Sequence, residues 1–382
     1  MSRPVVLIAG GGTGGHVFPG LAVADAMTAL ADVEVVFGGS PRGIEKNVVP
    51  PRGYRLEMLD ISPIKGGGVS RAARGAWSAA RATLRALRVV RQLSPVAVLS
   101  VGGYAAGPFA LASVLRAVPL GIMEPNDLLG FTNRVLAPFA QRAYIAWSDL
   151  TPRVRSGSAR VFGVPLRRGF KPSNYVPSSG ALRVLVMGGS QGAQALNQRV
   201  PRAIAGLAAA FPGLRVVHQT GRGAEAEVAG EYAQLGFESA TVLPFLDDVP
   251  EQLAAADIVI ARSGAGSVAE VAAVGRASLL VPFPFAADDH QAKNARALER
   301  AGGSVCVLQQ EATVERIARE LGALLADASM RVAMADAARA VGKPDAAHAV
   351  ALDLLQLAGV TLRDASSASA SSPGAAMNLE AR

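Results

Sequence analysis

Short apolar runs recur along the whole chain and alternate with Ala-rich segments of helical length. The runs lie at residues 5–9, 33–37, 96–101, 120–123, 143–146, 182–187, 214–218, 241–243, 258–261, 278–281 and 304–307. Continuous apolar runs of this length are typical of strands buried on both faces, and their alternation with helices indicates βαβ units. The pattern therefore predicts an α/β protein built on parallel sheets.

Two glycine-rich turns divide this pattern into similar halves. The turns are GGGTGGHVFPG at 10–20 and MGGSQGAQALN at 187–197, and each follows an apolar run and opens a helix-like segment. A later pair, AVLSVGGYAAGP at 97–108 and DIVIARSGAGSVAE at 257–270, repeats the resemblance. Backbone N–H groups at such turns stabilise negative charge. We therefore predict two Rossmann-like halves, each with a candidate anion-handling loop, and an active site in the cleft between them.

The hinge between the halves is predicted at 161–165, in the sequence VFGVP. This gives a first domain over 1–162, with a final helix at about 344–358 that returns to it, and a second domain over 163–343. From 361 to 382 the chain is rich in Ser and Ala without apolar periodicity, so we expect a disordered tail.

Composition indicates which metal sites, membrane segments and partners the chain is expected to have. Cys306 is the only cysteine, which excludes an internal disulfide framework and a thiolate metal cluster, and no metal site is predicted. No run reaches the eighteen or so apolar residues of a membrane span, and the first strand begins too early for a signal peptide, so we expect a soluble or peripheral protein. The net charge of +8 favours anionic partners.

The first glycine turn does not match the common nucleotide motifs. Gly10, Gly12 and Gly15 satisfy G-x-G-x-x-G, but no acidic residue ends the second predicted strand to hold a ribose. Neither turn is followed by Gly-Lys-Ser or Gly-Lys-Thr, as a Walker motif requires. Nicotinamide or flavin chemistry and nucleotide triphosphate hydrolysis are both disfavoured.

Three places carry candidate chemistry. His16, at the rim of the first turn, is a candidate general base, although a histidine there can equally serve only to bind the loop. Ser267 and the backbone around it suit a diphosphate, and Glu270 suits ribose hydroxyls or simply complements a helix dipole. The loop at 282–295 groups polar side chains that suit sugar hydroxyls or a helix cap, namely Asp288, Asp289, His290, Gln291 and Asn294.

The segment 64–92 is basic and contains no acidic residue. It holds Lys65, Arg71, Arg74, Arg81, Arg85, Arg88 and Arg91. On a helix the arginines from Arg71 onward form one broad arc, which predicts binding to an anionic membrane surface. A solvated basic face above an ordinary core stripe is the alternative. Nucleic acid is disfavoured as a partner, because Trp77 is the only aromatic residue of this segment that could stack on a base.

Six motifs in order along nearly the whole chain resemble the MurG-type UDP-N-acetylglucosamine–N-acetylmuramyl-(pentapeptide) pyrophosphoryl-undecaprenol N-acetylglucosamine transferases. The motifs are GGTGGHVFPGLAVA, GGYAAGP, EPN…GFTNR, GGSQGAQALN, RSGAGSVAE and PF…DDHQAKNA. The resemblance implies a GT-B architecture and an inverting, metal-free transfer without a cofactor. The donor is UDP-N-acetylglucosamine, the acceptor is the C4 hydroxyl of N-acetylmuramic acid in lipid I, and the product is lipid II. It also implies peripheral attachment at the cytoplasmic face of the bacterial inner membrane.

The resemblance also implies roles for individual residues. It makes His16 the favoured base, with Glu124 as a second candidate or an orienting partner. The implied substrate contacts are Thr13, Gly14, Gly15 and Asn126 for the sugar or acceptor, Arg167 and Ser190 for the diphosphate, Leu246 through its backbone for uracil, Ala265, Gly266, Ser267, Val268, Ala269 and Glu270 along the nucleotide, and Gln291 for the sugar hydroxyls.

The chain departs from the family pattern at three places. Members commonly show HEQN where this chain has Met123, Glu124, Pro125 and Asn126, so no role carries over to the first and third of these positions. Arg167 lies in VPLR where NPVR is frequent, and His290 replaces a glutamine seen in some relatives.

Two other functions fit a similar scaffold. A UDP-N-acetylglucosamine 2-epimerase also binds this donor between two Rossmann domains, and turnover of the donor alone would identify it. A nucleotide-sugar-binding protein without activity would leave His16 and the amide-rich loop without a purpose.

Overall fold

The protein is described by a computed structural model over residues 3–61, 69–177, 180–189 and 192–363, with side chains from Ala80 onward in the second range. Two fully parallel sheets organise these residues. The first sheet consists of β1 (Val5–Gly10), β2 (Glu34–Gly39), β3 (Arg55–Met58), β4 (Ala97–Gly102), β5 (Leu120–Glu124), β6 (Arg142–Ile145) and β7 (Ala159–Val161). The second consists of β8 (Arg183–Met187), β9 (Arg215–Gln219), β10 (Ala240–Leu243), β11 (Ile258–Ala261), β12 (Ala277–Leu280) and β13 (Val305–Cys306).

Helices connect the strands of each sheet. The helices of the first half are α1 (Gly14–Leu30), α2 (Glu45–Val48), α3 (Val69–Leu93), α4 (Ala106–Leu115) and α5 (Phe131–Leu136). Those that follow are α6 (Gln194–Leu207), α7 (Glu225–Gln234), α8 (Val249–Ala255), α9 (Ala265–Val274), α10 (His290–Arg300), α11 (Val314–Ala326), α12 (Ala328–Val341) and α13 (Ala346–Leu357). None of the described helices is both long enough and apolar enough to cross a bilayer.

Both sheets are covered on their two faces, as the continuous apolar runs predict. Along β1, Leu7 and Ala9 contribute to the core beneath α3 and α4, whereas Val6 and Ile8 contribute to the core beneath α1 and α13. In the second sheet, β8 alternates between a core with α6 and α11 and a core with α9 and α12. The predicted α/β class with two parallel-sheet domains is therefore confirmed.

All eleven predicted strands are present, with ends shifted by at most two residues. The structure adds β3 and β7, which pair at the two edges of the first sheet. Both are short and carry charged residues, so they lack the apolar run by which a buried strand is recognised.

The final helix packs against the first half of the chain. Val350, Leu354 and Leu355 of α13 are buried against α1. Asp353 accepts hydrogen bonds from the Arg142 side chain and from the Tyr144 hydroxyl, both at 2.8 Å. The described chain continues to residue 363, where the Arg363 N–H donates to the Leu30 carbonyl, so it runs slightly past the predicted start of the tail at 361. Residues 364–382 lie outside the described part of the chain.

Candidate active site

The strand order of both sheets predicts a site at the carboxyl ends of their strands. The orders are β3-β2-β1-β4-β5-β6-β7 and β10-β9-β8-β11-β12-β13. In the first sheet β2 and β3 lie on one side of β1 and the later strands lie on the other, so the chain changes direction across the sheet between β1 and β4. The second sheet changes direction in the same way between β8 and β11. Ligands of open parallel sheets bind at such reversals, beyond the carboxyl ends of the strands. The glycine-rich turns follow β1 and β8, and helices α1 and α9 approach each other across the cleft.

His16 lies in the first turn of α1 and packs against the β4–α4 turn. The nearest atoms to a Cβ built on Gly102 would be Cε1 and Nδ1 of His16, at 3.2 Å. Gly102 has a φ of +86°, so this close approach depends on glycine there. Nδ1 is buried, and a hydrogen bond between the ring and the Val101 backbone carbonyl favours the protonated form.

Burial lowers the pKa of His16 below its ordinary value, and the nearby Glu124 carboxylate opposes that shift. The imidazole is therefore neutral at pH 7. A neutral imidazole is the form that accepts a proton, so this position meets the electrostatic requirement for a general base.

Glu124 ends β5 and is only 1% exposed. Its Oε1 accepts hydrogen bonds from the backbone and side-chain amides of Asn126, and its Oε2 accepts from the Gly130 N–H and the Asn133 side chain, all between 2.9 and 3.2 Å. Asn133 in turn accepts a hydrogen bond from Ser100. With both oxygens occupied, the carboxylate is arranged to hold the loop after β5 in place.

Asn126 lies where the two domains meet. Its Oδ1 accepts a hydrogen bond from Asn294 of α10, whose own Oδ1 accepts the N–H of Asp127 at 2.9 Å. Asn294 is fully buried and also donates to the Ser263 carbonyl at 3.3 Å, just before α9. One side chain thus connects the loop after β5 to the loop after β11.

Helix α9 packs one side against the core and leaves the other side partly exposed. Ala265 and Val268 are buried and belong to the packed side, whereas Gly266, Ser267 and Glu270 are partly exposed; Ala269 packs partly against the same core. The six residues predicted to follow the nucleotide are therefore split, and only part of them can offer side chains to a ligand.

Burial and the charge of Arg167 have opposite effects on the pKa of Glu270. Burial raises the pKa of Glu270 to about 7, although the positive charge of Arg167 tends to lower that pKa. Arg167 is exposed, and its guanidinium lies over the Phe170 ring at 5.8 Å from the centroid. A desolvated carboxylate with free acceptor capacity suits hydroxyl donors.

The remaining predicted contacts differ in accessibility. Thr13 and Gly15 are exposed at the start of α1, with Gly14 between them. Leu246 is 3% exposed, so only its backbone can reach a ligand. Gln291 accepts the Phe283 N–H at 3.0 Å through Oε1, which leaves its NH₂ group for a sugar. Ser190 lies outside the described residues.

Four roles were not predicted from the sequence. They are those of Asn294 as a bridge between the two loops, of Asn133, and of Glu45 and Gln219, whose side chains bind the glycine turns. Gln219 directly follows a predicted strand, and polar residues at carboxyl ends of parallel strands are a usable signal for a site. Glu45 offers no comparable signal, because it lies within a four-residue helix after an irregular loop.

Two family models match the chain, one to each half. The glycosyltransferase family 28 N-terminal domain matches residues 6–145, and the glycosyltransferase family 28 C-terminal domain matches residues 183–350.

Among individual proteins, the chain is 53% identical over 92% of its length to the UDP-N-acetylglucosamine–N-acetylmuramyl-(pentapeptide) pyrophosphoryl-undecaprenol N-acetylglucosamine transferase of Sorangium cellulosum, covering 88% of that protein. It is similar to the crystal structure of Acinetobacter baumannii MurG, with a TM-score of 0.78 and 30% identity over 93% of this chain and 100% of that one. The Neisseria meningitidis UDP-GlcNAc 2-epimerase bound to UDP-GlcNAc shares the fold alone, with a TM-score of 0.62 and 13% identity over 93% of this chain and 100% of that one.

Proposed function

The chain belongs to glycosyltransferase family 28, and from this membership we propose that it transfers N-acetylglucosamine from UDP-N-acetylglucosamine to lipid I, forming lipid II in peptidoglycan synthesis. The observation that carries the proposal is the 53% identity, over most of both chains, with a transferase of that name. The acceptor is the C4 hydroxyl of N-acetylmuramic acid, which attacks C1 of the donor sugar as UDP leaves.

The base in this proposal is His16. Its Nε2 takes the proton of the C4 hydroxyl while the new C1–O bond forms and the bond from C1 to the diphosphate oxygen breaks. Two features support this role, the neutral state of the ring at pH 7 and its hydrogen bond to the Val101 backbone carbonyl, which orients it. A positioned base contributes on the order of a hundredfold or more to the rate.

Glu124 is proposed as a positioning residue and not as the base. Its two oxygens already accept four hydrogen bonds, so neither is free to receive the acceptor proton. Its negative charge near His16 stabilises the imidazolium that forms during transfer.

The second domain is proposed to hold the donor. Glu270 accepts the ribose hydroxyls, and Arg167 together with the N-terminal end of α9 stabilises the charge that develops on the departing diphosphate. The Gln291 NH₂ group and the exposed Thr13 are candidate contacts for the two sugars. Ser190 is retained as a diphosphate contact on the family resemblance.

Membrane attachment is proposed for the face formed by α3, α4 and α5, which pack side by side. In α3, Ala82, Ala86 and Val90 are buried, while the predicted arginine arc is exposed at Arg81, Arg85, Arg88 and Arg91. The same face exposes large apolar side chains, namely Leu84, Leu111, Leu115, Phe131, Val135 and Phe139. Apolar residues among arginines suit the interface of an anionic bilayer, where the lipid tail of the acceptor lies.

This attachment would be peripheral and at the cytoplasmic face, where UDP-sugars are available. The part of the predicted basic segment at 62–68 lies outside the described residues, as do the side chains at 69–79. The proposal therefore rests on residues from Ala80 onward and on α4 and α5.

The test is transfer of labelled N-acetylglucosamine from the UDP-sugar onto a short-chain lipid I analogue. Production of labelled lipid II with release of UDP supports the proposal. Conversion of the donor alone into its 2-epimer would instead identify an epimerase, and donor binding without turnover in either assay would identify a binding protein.

A further inference from the structure

A cavity lies at the edge of the second sheet opposite the proposed donor site. Its volume is about 540 Å³, within the range of small-molecule sites. Arg183 and Arg215, the first residues of β8 and β9, line it together with Asp257 and Arg276, which directly precede β11 and β12. Because all these strands are parallel, the cavity lies at their amino ends, whereas the proposed donor site lies at carboxyl ends. Ligands can therefore occupy both places at once.

Two arginines lie side by side along one wall of this cavity. Arg183 and Arg215 are register partners on adjacent strands, which lie about 4.8 Å apart. Both are exposed, and neither side chain forms a hydrogen bond or an ion pair with another residue of the described ranges. Like charges in this arrangement repel each other. An anion between the two guanidinium groups would remove that repulsion.

A third arginine places positive charge beneath the cavity. Arg276 is only 2% exposed, and its guanidinium lies over the Tyr175 ring at 5.6 Å from the centroid. Its Nη1 donates to the Gly275 carbonyl at 2.7 Å and its Nη2 to the Ser173 hydroxyl at 3.1 Å. Its buried Nε has no hydrogen-bond partner in the part of the chain that the structure describes. The cation is therefore fixed in place with one donor unused.

The carboxylate in the cavity wall is already engaged. Asp257 accepts the Tyr175 hydroxyl through Oδ1 and the Arg183 backbone N–H through Oδ2, both at 2.8 Å. Glu238 lines a neighbouring cavity that shares Arg183 and Arg215, but it forms no ion pair with either within the described residues. Three arginines against one aspartate leave an excess of two positive charges along the wall.

The arrangement suits a diphosphate. A guanidinium binds a phosphate through two parallel N–H···O bonds, so two neighbouring arginines match two linked phosphates. The Ser173 hydroxyl accepts from Arg276 and keeps its own hydrogen for a further acceptor. Val176, which is 78% exposed, and Ala181 add an apolar part to the wall. The cavity can therefore hold a small organic group beside the phosphates.

We propose that this cavity is a second ligand site, which binds the diphosphate group of a soluble small molecule through Arg183 and Arg215. The site is separate from the cleft, and its binding does not require the transfer reaction. A lipid headgroup carries related phosphate chemistry, so the experiments compare a soluble diphosphate with a lipid surface.

The first test is calorimetric titration with inorganic pyrophosphate. We expect the double variant R183Q/R215Q to bind one pyrophosphate fewer per chain than the unsubstituted protein, or to bind it at least tenfold more weakly at one site. The matched control is R202Q/R319Q, which loses the same charge from exposed positions of α6 and α11 and should bind like the unsubstituted protein. Equal binding in all three proteins, or equal loss in both variants, would overturn the proposal. Inorganic phosphate should bind more weakly than pyrophosphate, and equal affinities would contradict the assignment of a diphosphate.

The second test measures thermal unfolding and membrane binding of the same variants. Because R183Q/R215Q removes the repulsion between the two arginines, its midpoint without ligand should be no lower than that of the unsubstituted protein. Pyrophosphate should raise the midpoint less in this variant than in the unsubstituted protein or in R202Q/R319Q. A lower midpoint without ligand would mean that the arginines stabilise the fold directly, against the proposal. Sedimentation with anionic vesicles should be unchanged in R183Q/R215Q; its loss would assign the two arginines to a lipid headgroup instead of a soluble ligand.

Discussion

The side-chain amide of Asn294 donates a hydrogen bond to Oδ1 of Asn126 at 3.2 Å, across the boundary between the two domains. The same Asn294 side chain also bonds to Asp127 and Ser263, and it is fully buried. Asn126 is itself held by Glu124. The proposed acceptor and donor sides are therefore joined by one chain of hydrogen bonds that forms only when the domains are together.

We predict that Asn294→Ala lowers kcat and raises the KM of the UDP-sugar while each domain stays folded. Each hydrogen bond lost contributes about 0.5–1.5 kcal/mol, so opening of the cleft becomes easier. Small-angle scattering should show a larger radius of gyration. Asn294→Asp is the control, because it keeps the acceptor for the Asp127 N–H and should have a smaller effect. Unchanged kinetics in both variants would mean that the bridge is incidental.

The pH profile of transfer should distinguish His16 from Glu124 as the base. Burial lowers the pKa of His16, so the acid limb of kcat/KM should have its midpoint below pH 6.5. Glu124→Gln removes a negative charge that raises this pKa, so the midpoint should move to still lower pH as the maximal rate falls. If the acid limb disappears in Glu124→Gln but persists in His16→Ala, the assignment of the base is wrong.

Uridine affinity should depend on pH through Glu270. Its pKa of about 7 means that the carboxylate population rises about tenfold between pH 6 and pH 8. Because the ionised form is the better acceptor for ribose hydroxyls, uridine should bind up to about tenfold more tightly at pH 8. Calorimetric titration checks this, with uridine chosen because it has no phosphate to titrate. The Glu270→Gln variant should bind uridine more weakly than the unsubstituted protein at pH 8, with an affinity that does not depend on pH. If that variant kept the same pH dependence, Glu270 would be excluded as its cause.

Charge reversal on α3 should separate membrane binding from catalysis. We expect a triple variant, with Glu in place of Arg81, Arg85 and Arg88, to lose sedimentation with anionic vesicles. Each cation near such a surface contributes about 1 kcal/mol to binding. Transfer to a water-soluble acceptor analogue should be unaffected. The matched control reverses three exposed arginines of the second domain, Arg183, Arg215 and Arg319. Vesicle binding that survives the α3 reversal, or is lost equally in the control, would place the membrane contact elsewhere.

The fold was largely predictable because its strands are buried on both faces and therefore appear as apolar runs. The two strands that were missed, β3 and β7, are edge strands in which charged residues such as Arg55 and Arg160 interrupt the pattern. Their formation depends on neighbouring strands that the local sequence does not reveal.

The site was predictable in part. His16 and Glu270 follow glycine turns at the ends of predicted strands, so topology alone is enough to propose them as residues of the cleft. The roles of Asn294 and Glu45 depend on partners that only the assembled fold brings close, Asn126 and Gly12. Sequence spacing also cannot tell that Val268 is buried while Glu270, two residues later, is partly exposed.

The most direct test of the account is single-turnover transfer from labelled UDP-N-acetylglucosamine to a short-chain lipid I analogue, with the anomeric configuration of the new linkage determined by NMR. We expect one labelled lipid II and one UDP per turnover, an inverted β-linkage, and a rate at least about a hundredfold lower in His16→Ala with unchanged donor affinity. A retained α-linkage, or a His16→Ala rate equal to that of the unsubstituted protein, would contradict it.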